Sequence, residues 1–435
     1  MGNGKLGNYL WPDPPNEDKF SVCVHCGMCL EACPTYQETG LEQHSPRGRV
    51  HLIKSVAEGK LAVNEAFADP VFQCLDCRAC ETACPANVQV GSLIEEARGQ
   101  VRQAMPLTGW KGAINRLFLR GIFPHPSRLH AVGKLTRFYQ KSGLRTVARK
   151  TGVLNVLPKH LKGMEAVLPD VQTPVLKKYP EVVPAQGETR QKVAMLTGCV
   201  MDLAFSDVNE STIRVLTRNG YEVHLPREQR CCGALQLHAG DREQGKALAR
   251  QNIDAFLNAD VDAVVVNAAG CGAAMKEYGE LLHEDPEYRD KAAEFSAKVI
   301  DVSKFLHQNG YIKPKGRVDK TITYHDACHL AHGQGVRSEP RELLKDIPGI
   351  RLVELPDADR CCGSAGIYNI THPEMASKLL DRKMDDIPEG AELITMGNPG
   401  CMMQIALGVH QHHRKEKVVH TVQLLDWAYQ NETGE

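Results

Sequence analysis

Short apolar runs alternate with amphipathic stretches over residues 191–430. The runs are rich in β-branched residues and end at or near a cysteine; they read VAMLTGC, YEVHLP and VDAVVVNAAGC, and then TITYHDAC, IRLVELP and AELITMGNPGC. The intervening stretches, such as SDVNESTIRVLTRNG and GDREQGKALARQNIDAFLNA, repeat apolar residues at helical spacing between start and stop signals. This alternation predicts parallel sheets covered by helices.

The same region is an internal duplication. Four cysteines of its first half recur 129 or 130 positions later in its second half. The pairs are Cys199 and Cys328, Cys231 and Cys361, Cys232 and Cys362, and Cys271 and Cys401. A repeat of this length is a duplicated small domain, not a solenoid unit of roughly 20–50 residues. Because the cysteines follow predicted strands, we expect them just beyond the carboxyl ends of those strands, where open α/β sheets bind ligands.

Composition narrows the chemistry. The 435 residues suggest about two to four domains. Lysine plus arginine (52) nearly cancels aspartate plus glutamate (53), so the whole-chain charge identifies no partner. The first residues lack the apolar stretch of a secretory signal, and no run of about 18 apolar residues occurs, so we expect a cytoplasmic chain without a spanning helix. In a reducing compartment, sixteen cysteines indicate metal or redox chemistry, not disulfides.

The other eight cysteines form two identical runs near the N-terminus. Each has the spacing C-x2-C-x2-C-x3-C-P, which is that of bacterial ferredoxins, where the fourth cysteine of each run binds the other run's cluster. We therefore predict two [4Fe–4S] clusters, one on Cys23, Cys26, Cys29 and Cys84 and the other on Cys74, Cys77, Cys80 and Cys33. Structural zinc is the alternative, since C-x2-C pairs also bind zinc, but two tandem runs closed by Cys-Pro disfavour it.

Three residues near these runs have two interpretations each. Gly27 lets backbone amides approach the cluster sulfurs, or it is a plain turn glycine. Arg47 and Arg49 offset the negative charge of the clusters, or they are solvated surface side chains.

The eight cysteines of the duplicated region are candidate ligands as well. Adjacent cysteines cannot easily form a disulfide with each other, and four thiolates from three strand ends could enclose a cluster. Buried structural cysteine is the alternative. The histidines of YHDACHLAHG, namely His325, His329 and His332, are candidates for a metal site, a proton relay or hydrogen bonds to a cluster; loop or packing roles are the alternative.

The segment between the two cysteine regions is basic. Residues 97–164 contain fourteen lysines and arginines and no acidic residue, with apolar side chains interleaved. Such segments lie on anionic membranes or dock acidic partners, and we expect contributions from Arg116, Arg120, Lys134 and Arg137. The alternative is a helical lid that packs on the chain's own domains. Nucleic acid is disfavoured, because no recognised nucleic-acid module accompanies the charge.

Nearly the whole chain resembles a known family. The duplicated cysteines resemble the CCG domain of heterodisulfide reductase subunits, and with the ferredoxin-like runs the layout resembles the iron–sulfur subunit of bacterial glycolate oxidase. The segments that carry this are CVHCGMCLEACPTY, SPRGRVHLIK, CLDCRACETACP, GCGAAMKEYGELL and DRCCGSAGIYNITHPEMASKL. Iron–sulfur subunits of lactate and glycerol-3-phosphate dehydrogenases look similar.

One departure from the heterodisulfide reductase pattern matters. That pattern ends each unit with C-x-x-C, whose last cysteine supports non-cubane clusters, whereas Ala274 and Gln404 stand there in this chain. Disulfide chemistry at a non-cubane centre is therefore disfavoured. One or two four-cysteine clusters, or a single cluster with ligands from both halves, remain open.

We thus expect a chain of mixed α+β and α/β class. Its predicted parts are a mainly helical 2×[4Fe–4S] ferredoxin-like domain (1–100), a basic helical connector (101–190) and two α/β CCG repeats with parallel sheets (191–318 and 319–435).

The resemblance implies an electron-transfer subunit of an oxidoreductase. No nucleotide motif follows a predicted strand, so FAD is expected only on a partner subunit that oxidises glycolate or a similar 2-hydroxy acid. Electrons would pass through the clusters of this chain to a membrane quinone, with the connector on the inner face of the cytoplasmic membrane. The alternatives are a lactate or glycerol-3-phosphate dehydrogenase subunit, and a CCG-type reductase with its own substrate.

Overall fold

The N-terminal domain is helical. The computed structural model describes residues 6–10, 12–156 and 158–433. The helices of this domain are α1 (Glu17–Ser21), α2 (Pro34–Thr39), α3 (Pro46–Ala57), α4 (Glu65–Gln73), α5 (Ala79–Thr82) and α6 (Val90–Ala104), with a 3-10 turn at Glu42–His44. Ser45 caps α3 by accepting a hydrogen bond from the Gly48 amide, ahead of a proline at the first helical position. Ile53, Phe67 and Leu93 are fully buried where α3, α4 and α6 meet.

A string of helices follows. It comprises α7 (Gly109–Arg116), a π-helical turn (Leu117–Ile122), α8 (Pro126–Lys141), α9 (Leu144–Lys150), a 3-10 turn (Val153–Val156) and α10 (Lys159–Ala166). These helices bury few side chains: Leu119 and Leu129 are the buried large apolar residues of α7, the π-helical turn, α8 and α9. The connector is thus helical, as predicted, and it lies against the chain's own following domain.

The first repeat is built on a five-stranded sheet. Its elements are α11 (Val175–Lys178), β1 (Val182–Val183), β2 (Gln191–Leu196), α12 (Val200–Ala204), α13 (Ser206–Arg218), β3 (Tyr221–His224), α14 (Ala234–His238), α15 (Arg242–Leu257), β4 (Ala263–Val266), α16 (Ala269–Lys276), α17 (Tyr278–Leu281), α18 (Arg289–Lys298), β5 (Val299–Asp301) and α19 (Val302–Asn309). The strand order is β1-β3-β2-β4-β5, and β1 alone runs antiparallel to its neighbour.

The second repeat has the same core topology. Its elements are β6 (Lys320–Tyr324), α20 (Cys328–Ala331), α21 (Ser338–Lys345), β7 (Ile350–Leu352), α22 (Tyr368–Thr371), α23 (Pro373–Asp385), β8 (Leu393–Met396), α24 (Pro399–Gln411), β9 (Lys417–His420) and α25 (Thr421–Thr433). The order β7-β6-β8-β9, all parallel, matches β3-β2-β4-β5 strand for strand. The predicted duplication into parallel sheets covered by helices is confirmed. The apolar pattern had not predicted β1, β5 and β9.

The two repeats share one hydrophobic core. Buried polar groups also join them. The Asp426 carboxylate on α25 accepts hydrogen bonds from the Ser211 hydroxyl (2.8 Å) and from Arg214 Nη2 (2.6 Å) on α13. Asn398, which begins α24, accepts a hydrogen bond from the amide of Gly270 at 3.2 Å. The repeats are therefore held in one fixed relation to each other.

Candidate metal centres and their junction

The two ferredoxin-like runs adopt the same loop conformation. His25 and Asp76, at equivalent positions between the first and second cysteines, both have φ of +54°. Gly27 and Arg78, at equivalent positions after the second cysteine, have φ of +88° and +62°. Residues other than glycine rarely adopt this left-handed region. These tight turns bring together successive cysteines that are separated by two residues, so that their thiols can surround a common centre.

One cavity combines cysteines from both runs. Its lining includes Cys33, Cys74, Cys77 and Cys80, which is the set that cross-ligation predicts for one cluster. In the other predicted set, Cys23, Cys29 and Cys84 pack against the core of the N-terminal domain, and Cys26 is exposed. The ligand assignments remain predictions, and the arrangement of the first set fits them.

The two arginines have different surroundings. Arg49 is buried, and its Nη1 lies 3.8 Å from Cys33 Sγ while Nη2 donates to Thr35 Oγ1 at 2.9 Å. Burial alone would lower the pKa of Arg49, but the nearby thiols of Cys74 and Cys33 raise it. Arg47 instead pairs with Glu42 at 2.7 Å on the surface. A fixed cation beside four thiols suits a negatively charged cluster, so this donor set fits an iron–sulfur group.

In the first repeat, four thiols meet at the carboxyl end of the parallel strands. Cys199 follows β2, the Cys231–Cys232 pair follows β3, and Cys271 lies in the first turn of α16 after β4. Cys199 Sγ and Cys231 Sγ are 3.5 Å apart. Cys231 and Cys232, and Cys232 and Cys271, are close enough for each pair of thiols to shift one another's pKa. The glycine of Cys-Cys-Gly turns the chain here with a φ of +82°.

The second repeat assembles its own four thiols in the same way. Cys328 and Cys361, Cys361 and Cys362, and Cys362 and Cys401 are close enough for each pair of thiols to shift one another's pKa. The thiols are thus grouped by half, which favours one centre in each repeat over a single centre shared between them. Neighbouring thiols and burial raise the pKa of Cys328 well above its usual value. Metal binding would therefore displace protons from these thiols.

The positions that lack the fifth cysteine offer no substitute donor. Ala274 is buried in α16, and the Gln404 amide oxygen accepts a hydrogen bond from Asn369 at 2.9 Å.

The three histidines near Cys328 differ in their surroundings. His332 Nδ1 lies 2.9 Å from both Thr82 Oγ1 and Arg337 Nη2, so it joins two domains. His329 Nδ1 lies 3.6 Å from Cys328 Sγ. His325 is fully buried, and neither ring nitrogen has a hydrogen bond of normal geometry. Burial, with a contribution from Lys383, lowers the pKa of His325 well below its usual value.

All three domains meet at a buried cluster, here called the junction, formed by Asp76, His238 and His329. His238 Nδ1 lies 3.1 Å from Asp76 Oδ2 and 3.1 Å from a Glu95 oxygen, and the rings of His238 and His329 are 5.4 Å apart. Burial alone would lower the pKa of His238, but Asp76 and Glu95 raise it to about 9. The junction therefore places a charged histidine of the first repeat between two carboxylates of the N-terminal domain.

Further contacts reinforce this docking. Arg78 forms a two-pronged ion pair with Glu277 of the first repeat, with Nη2 and Oε2 2.8 Å apart. Arg382 of the second repeat pairs with Glu38 at 2.6 Å. Leu75 and Cys77 lie in one buried apolar cluster with Cys328 and Cys361. One cysteine set of the N-terminal domain is therefore contiguous with that of the second repeat.

The connector covers the first repeat near its cysteines. The Leu119 carbonyl accepts a hydrogen bond from Gln236 Nε2 at 2.8 Å, and Gln236 Oε1 lies 4.0 Å from Cys231 Sγ. Arg120 forms a two-pronged pair with Asp241 of the first repeat. The interpretation as a lid therefore holds for one face of the connector.

Sequence patterns did not indicate Asp76, His238 or Lys383 as part of the site. Asp76 lies between two cysteines of a run, at a position where the spacing pattern specifies no residue type. His238 lies at the end of the short helix α14 and belongs to no recognised motif. Their proximity depends on domain docking, for which no local pattern exists.

Four-cysteine sets in a two-run loop domain and at the strand ends of parallel sheets define an iron–sulfur electron-transfer protein. Residues 19–88 match the 4Fe-4S dicluster domain, which indicates two [4Fe–4S] clusters, and residues 193–276 and 322–406 each match the Cysteine-rich domain. Residues 110–168 match the model described as "Glycolate oxidase iron-sulfur subunit, linker region". The chain belongs to the family of glycolate oxidase iron–sulfur subunits, as the resemblance of its segments predicted.

Relatives support this membership along nearly the full length. The chain is 43% identical over 417 residues to the "Probable glycolate oxidase iron-sulfur subunit" of Bacillus subtilis (strain 168), covering 94% of each chain. It is 34% identical over 420 residues to the "Glycolate oxidase iron-sulfur subunit" of Escherichia coli (strain K12), again covering 94% of each. "Lactate utilization protein A" of Oceanobacillus iheyensis is 32% identical over 237 residues, which is 54% of this chain and 96% of that protein.

No helix in the part of the chain that the structure describes has the length and apolar character needed to cross a membrane.

Replacing His238 with glutamine should destabilise the docked arrangement most at acidic to neutral pH. Because its folded-state pKa is about 9 and its ordinary value 6.5, the charged histidine stabilises the fold fully below pH 6.5 and loses its effect as the pH rises through 9. The shift corresponds to roughly 3 kcal/mol. The apparent melting temperatures of the metal-loaded wild type and variant, measured across this range, check it.

The matched control is His283→Gln, since His283 is exposed and lies 3.9 Å from Glu284. Its effect should be small at every pH. A difference between wild type and H238Q that stays constant from neutral to alkaline pH would contradict the assigned role.

Proposed function

We propose that this chain is the electron-transfer subunit of a flavin-dependent glycolate oxidase, and that it delivers electrons from a partner flavoprotein to a membrane quinone. The observation that carries the proposal is the buried contiguity of Cys77 with Cys328 and Cys361. Bound iron–sulfur clusters accept and release single electrons at potentials that their surroundings set. One cysteine set of the N-terminal domain therefore lies next to that of the second repeat, as a route for single electrons requires.

Glycolate is favoured over lactate as the substrate of the complex because the similarity to glycolate oxidase subunits covers more of this chain. The two glycolate oxidase relatives match 94% of this chain. The lactate utilization relatives match 54% of it. A second function as a CCG-type reductase has no support from Ala274 and Gln404, which offer no fifth thiolate. The flavin chemistry belongs on a partner, because the chain has no nucleotide-binding motif after a strand.

We assign the donor's docking surface to the loop around Cys26. Cys26 is exposed, whereas Cys33, Cys77 and Cys80 are buried. The neighbouring side chains Val24 and Met28 are 72% and 61% exposed. Apolar side chains around an exposed ligand suit a dry contact with a protein partner, and they shorten the distance that an electron must travel.

The connector supplies a second surface, which we assign to the membrane. Eleven of the nineteen large apolar side chains that are exposed in the described chain lie between Trp110 and Val156. On α8, Lys134, Phe138 and Lys141 follow helical spacing i, i+4, i+7, away from buried Leu129 and Gly133. This combination of exposed apolar and basic side chains is typical of helices at an anionic lipid surface.

Metal analysis tests the number of centres. Since each repeat gathers its own four thiols, we expect about sixteen iron atoms and as many sulfides per chain after anaerobic purification, four for each [4Fe–4S] cluster. About twelve would leave one repeat without a cluster. About eight would limit the clusters to the dicluster domain and contradict the part assigned to the repeats.

Replacing Val24 and Met28 by glutamate should slow reduction of the clusters in the assembled complex. Buried interface charges oppose docking, so bleaching of the visible absorbance after mixing with glycolate should slow by about ten-fold or more. Iron content should stay unchanged. The control replaces Val182 and Ile312 by glutamate. These side chains are 41% and 47% exposed and lie in another part of the chain, so the control should bleach at the wild-type rate. An unchanged rate in the Val24 and Met28 variant would refute this docking surface.

Replacing Arg116, Lys134, Lys141 and Lys150 by glutamine should release the complex from anionic lipid. These exposed side chains pair with no carboxylate among the described residues, unlike Arg120. Each contributes about 1 kcal/mol at an anionic surface in low salt, so affinity for phosphatidylglycerol vesicles should fall roughly a hundred- to a thousand-fold in a sedimentation assay.

The control removes four exposed lysines that lie outside the connector and whose side chains also lack carboxylate partners among the described residues: Lys315, Lys345, Lys378 and Lys415. It should bind vesicles as the wild type does. If the connector variant keeps vesicle binding and instead loses the flavoprotein subunit, the surface binds an acidic protein partner and the membrane assignment is wrong.

A further inference from the structure

The two four-thiol sites are not chemically equivalent. In the second repeat a ring nitrogen of His325, Cys362 Sγ and Cys401 Sγ all lie within 4.8 Å of one another, and all three residues are buried. Both nitrogens of the ring lack a hydrogen bond of normal geometry. A buried polar group without a partner is costly, and a metal ion nearby would supply one.

The first repeat has no equivalent donor. Strand register aligns the two halves: Met195 pairs with Val265, and Tyr324 pairs with Thr395. The residue that follows each is therefore equivalent, and Leu196 occupies the place of His325. Leu196 is buried and apolar. The imidazole is an addition to one site, not a feature of the shared fold.

A buried charge distinguishes the same site. Gly233 contacts Gly245 in the first repeat, and the equivalent Gly363 contacts Ala376 in the second, so Gly245 and Ala376 are equivalent positions. Asn252 and Lys383 each lie seven residues further along the helix and are therefore counterparts. Lys383 is fully buried, and its Nζ donates to the Asp357 carbonyl at 2.6 Å.

Lys383 lies close enough to two of the cysteines to interact with them. Burial lowers the pKa of Lys383, and the nearby thiols of Cys362 and Cys361 oppose that effect. Asn252 instead donates to the Cys231 carbonyl at 3.0 Å and adds no charge.

We propose that His325 is a metal ligand of the second repeat's centre, so that this centre has thiolate and imidazole donors while the first repeat's centre has thiolates alone. The inference rests on the proposed presence of a metal centre in the second repeat. A neutral imidazole in place of a thiolate makes a centre less negative, and the Lys383 ammonium offsets part of the remaining negative charge. Both raise a reduction potential. The second repeat therefore holds the higher-potential centre of the two.

Nitrogen hyperfine coupling tests the ligand directly. Holoprotein labelled with nitrogen-15 in histidine only, reduced anaerobically with dithionite, should show in pulsed EPR a coupling of the size that a directly bonded nitrogen gives. His325→Leu, which introduces the residue of the first repeat, should abolish that coupling. One midpoint potential should fall in a redox titration. His325→Cys keeps a metal-binding side chain; it should retain the iron content and also lose the coupling.

The comparison variant is His329→Leu, because His329 Nδ1 lies 3.6 Å from Cys328 Sγ and is the other buried imidazole beside these thiols. It should retain the coupling. The proposal is overturned if the wild type shows only the weak coupling of a hydrogen-bonded nitrogen, or if the signal disappears in His329→Leu and persists in His325→Leu.

Two results separate this inference from the proposed function. A wild-type complex that glycolate bleaches but that shows no bonded nitrogen refutes the role of His325 and leaves electron transfer intact. A holoprotein with a bonded nitrogen that no flavoprotein partner reduces supports His325 as a ligand and refutes the proposed route.

Discussion

Thiolate charge kept away from water is the constraint on which the rest of this structure depends. Nine of the sixteen cysteines are buried, and a buried charge is strongly unfavourable unless an opposite charge or a metal ion accompanies it. The fold meets the constraint in three ways. The thiols gather in fours, so that one metal group can serve each set. Arg49 lies beside one set and Lys383 beside another, and left-handed turns and parallel strand ends bring together cysteines from separate stretches of the chain.

The sequence predicted the parts of the site that short stretches of chain determine. The loops around Cys26 and Cys77 follow from residue spacing alone, and the sets at the strand ends follow from the duplication. The docking of one domain against another could not be predicted from the sequence. Asp76 and His238 meet only because two separately folded surfaces fit together, and neither residue stands in a periodic pattern. Arg47 and Arg49 show the same limit of prediction from sequence. Arg47 pairs with Glu42 at the surface, whereas Arg49 is buried beside the Cys33 thiol, because the two residues lie on different faces of α3.

The fold class could be predicted because the central strands are continuous apolar runs rich in β-branched residues that alternate with helical patterns. The missed strands are short or lie at sheet edges, as with the two-residue β1 and the three-residue β5, where few apolar residues are needed.

For the connector, the basic and apolar composition was consistent with both a lid and a binding surface, and the two roles are compatible. Leu119 lies on the face that covers the first repeat, while Trp110, at 70% exposure, and Leu135, at 71%, lie on the open face.

The apolar cluster of Leu75, Cys77, Cys328 and Cys361 has a consequence for how the protein is made. With the N-terminal domain docked, these cysteines are buried, so a cluster-carrier protein would reach them only while the domains are apart. For the clusters proposed above, metal insertion would then come before closure of the domains, and the fold itself would set the order of maturation.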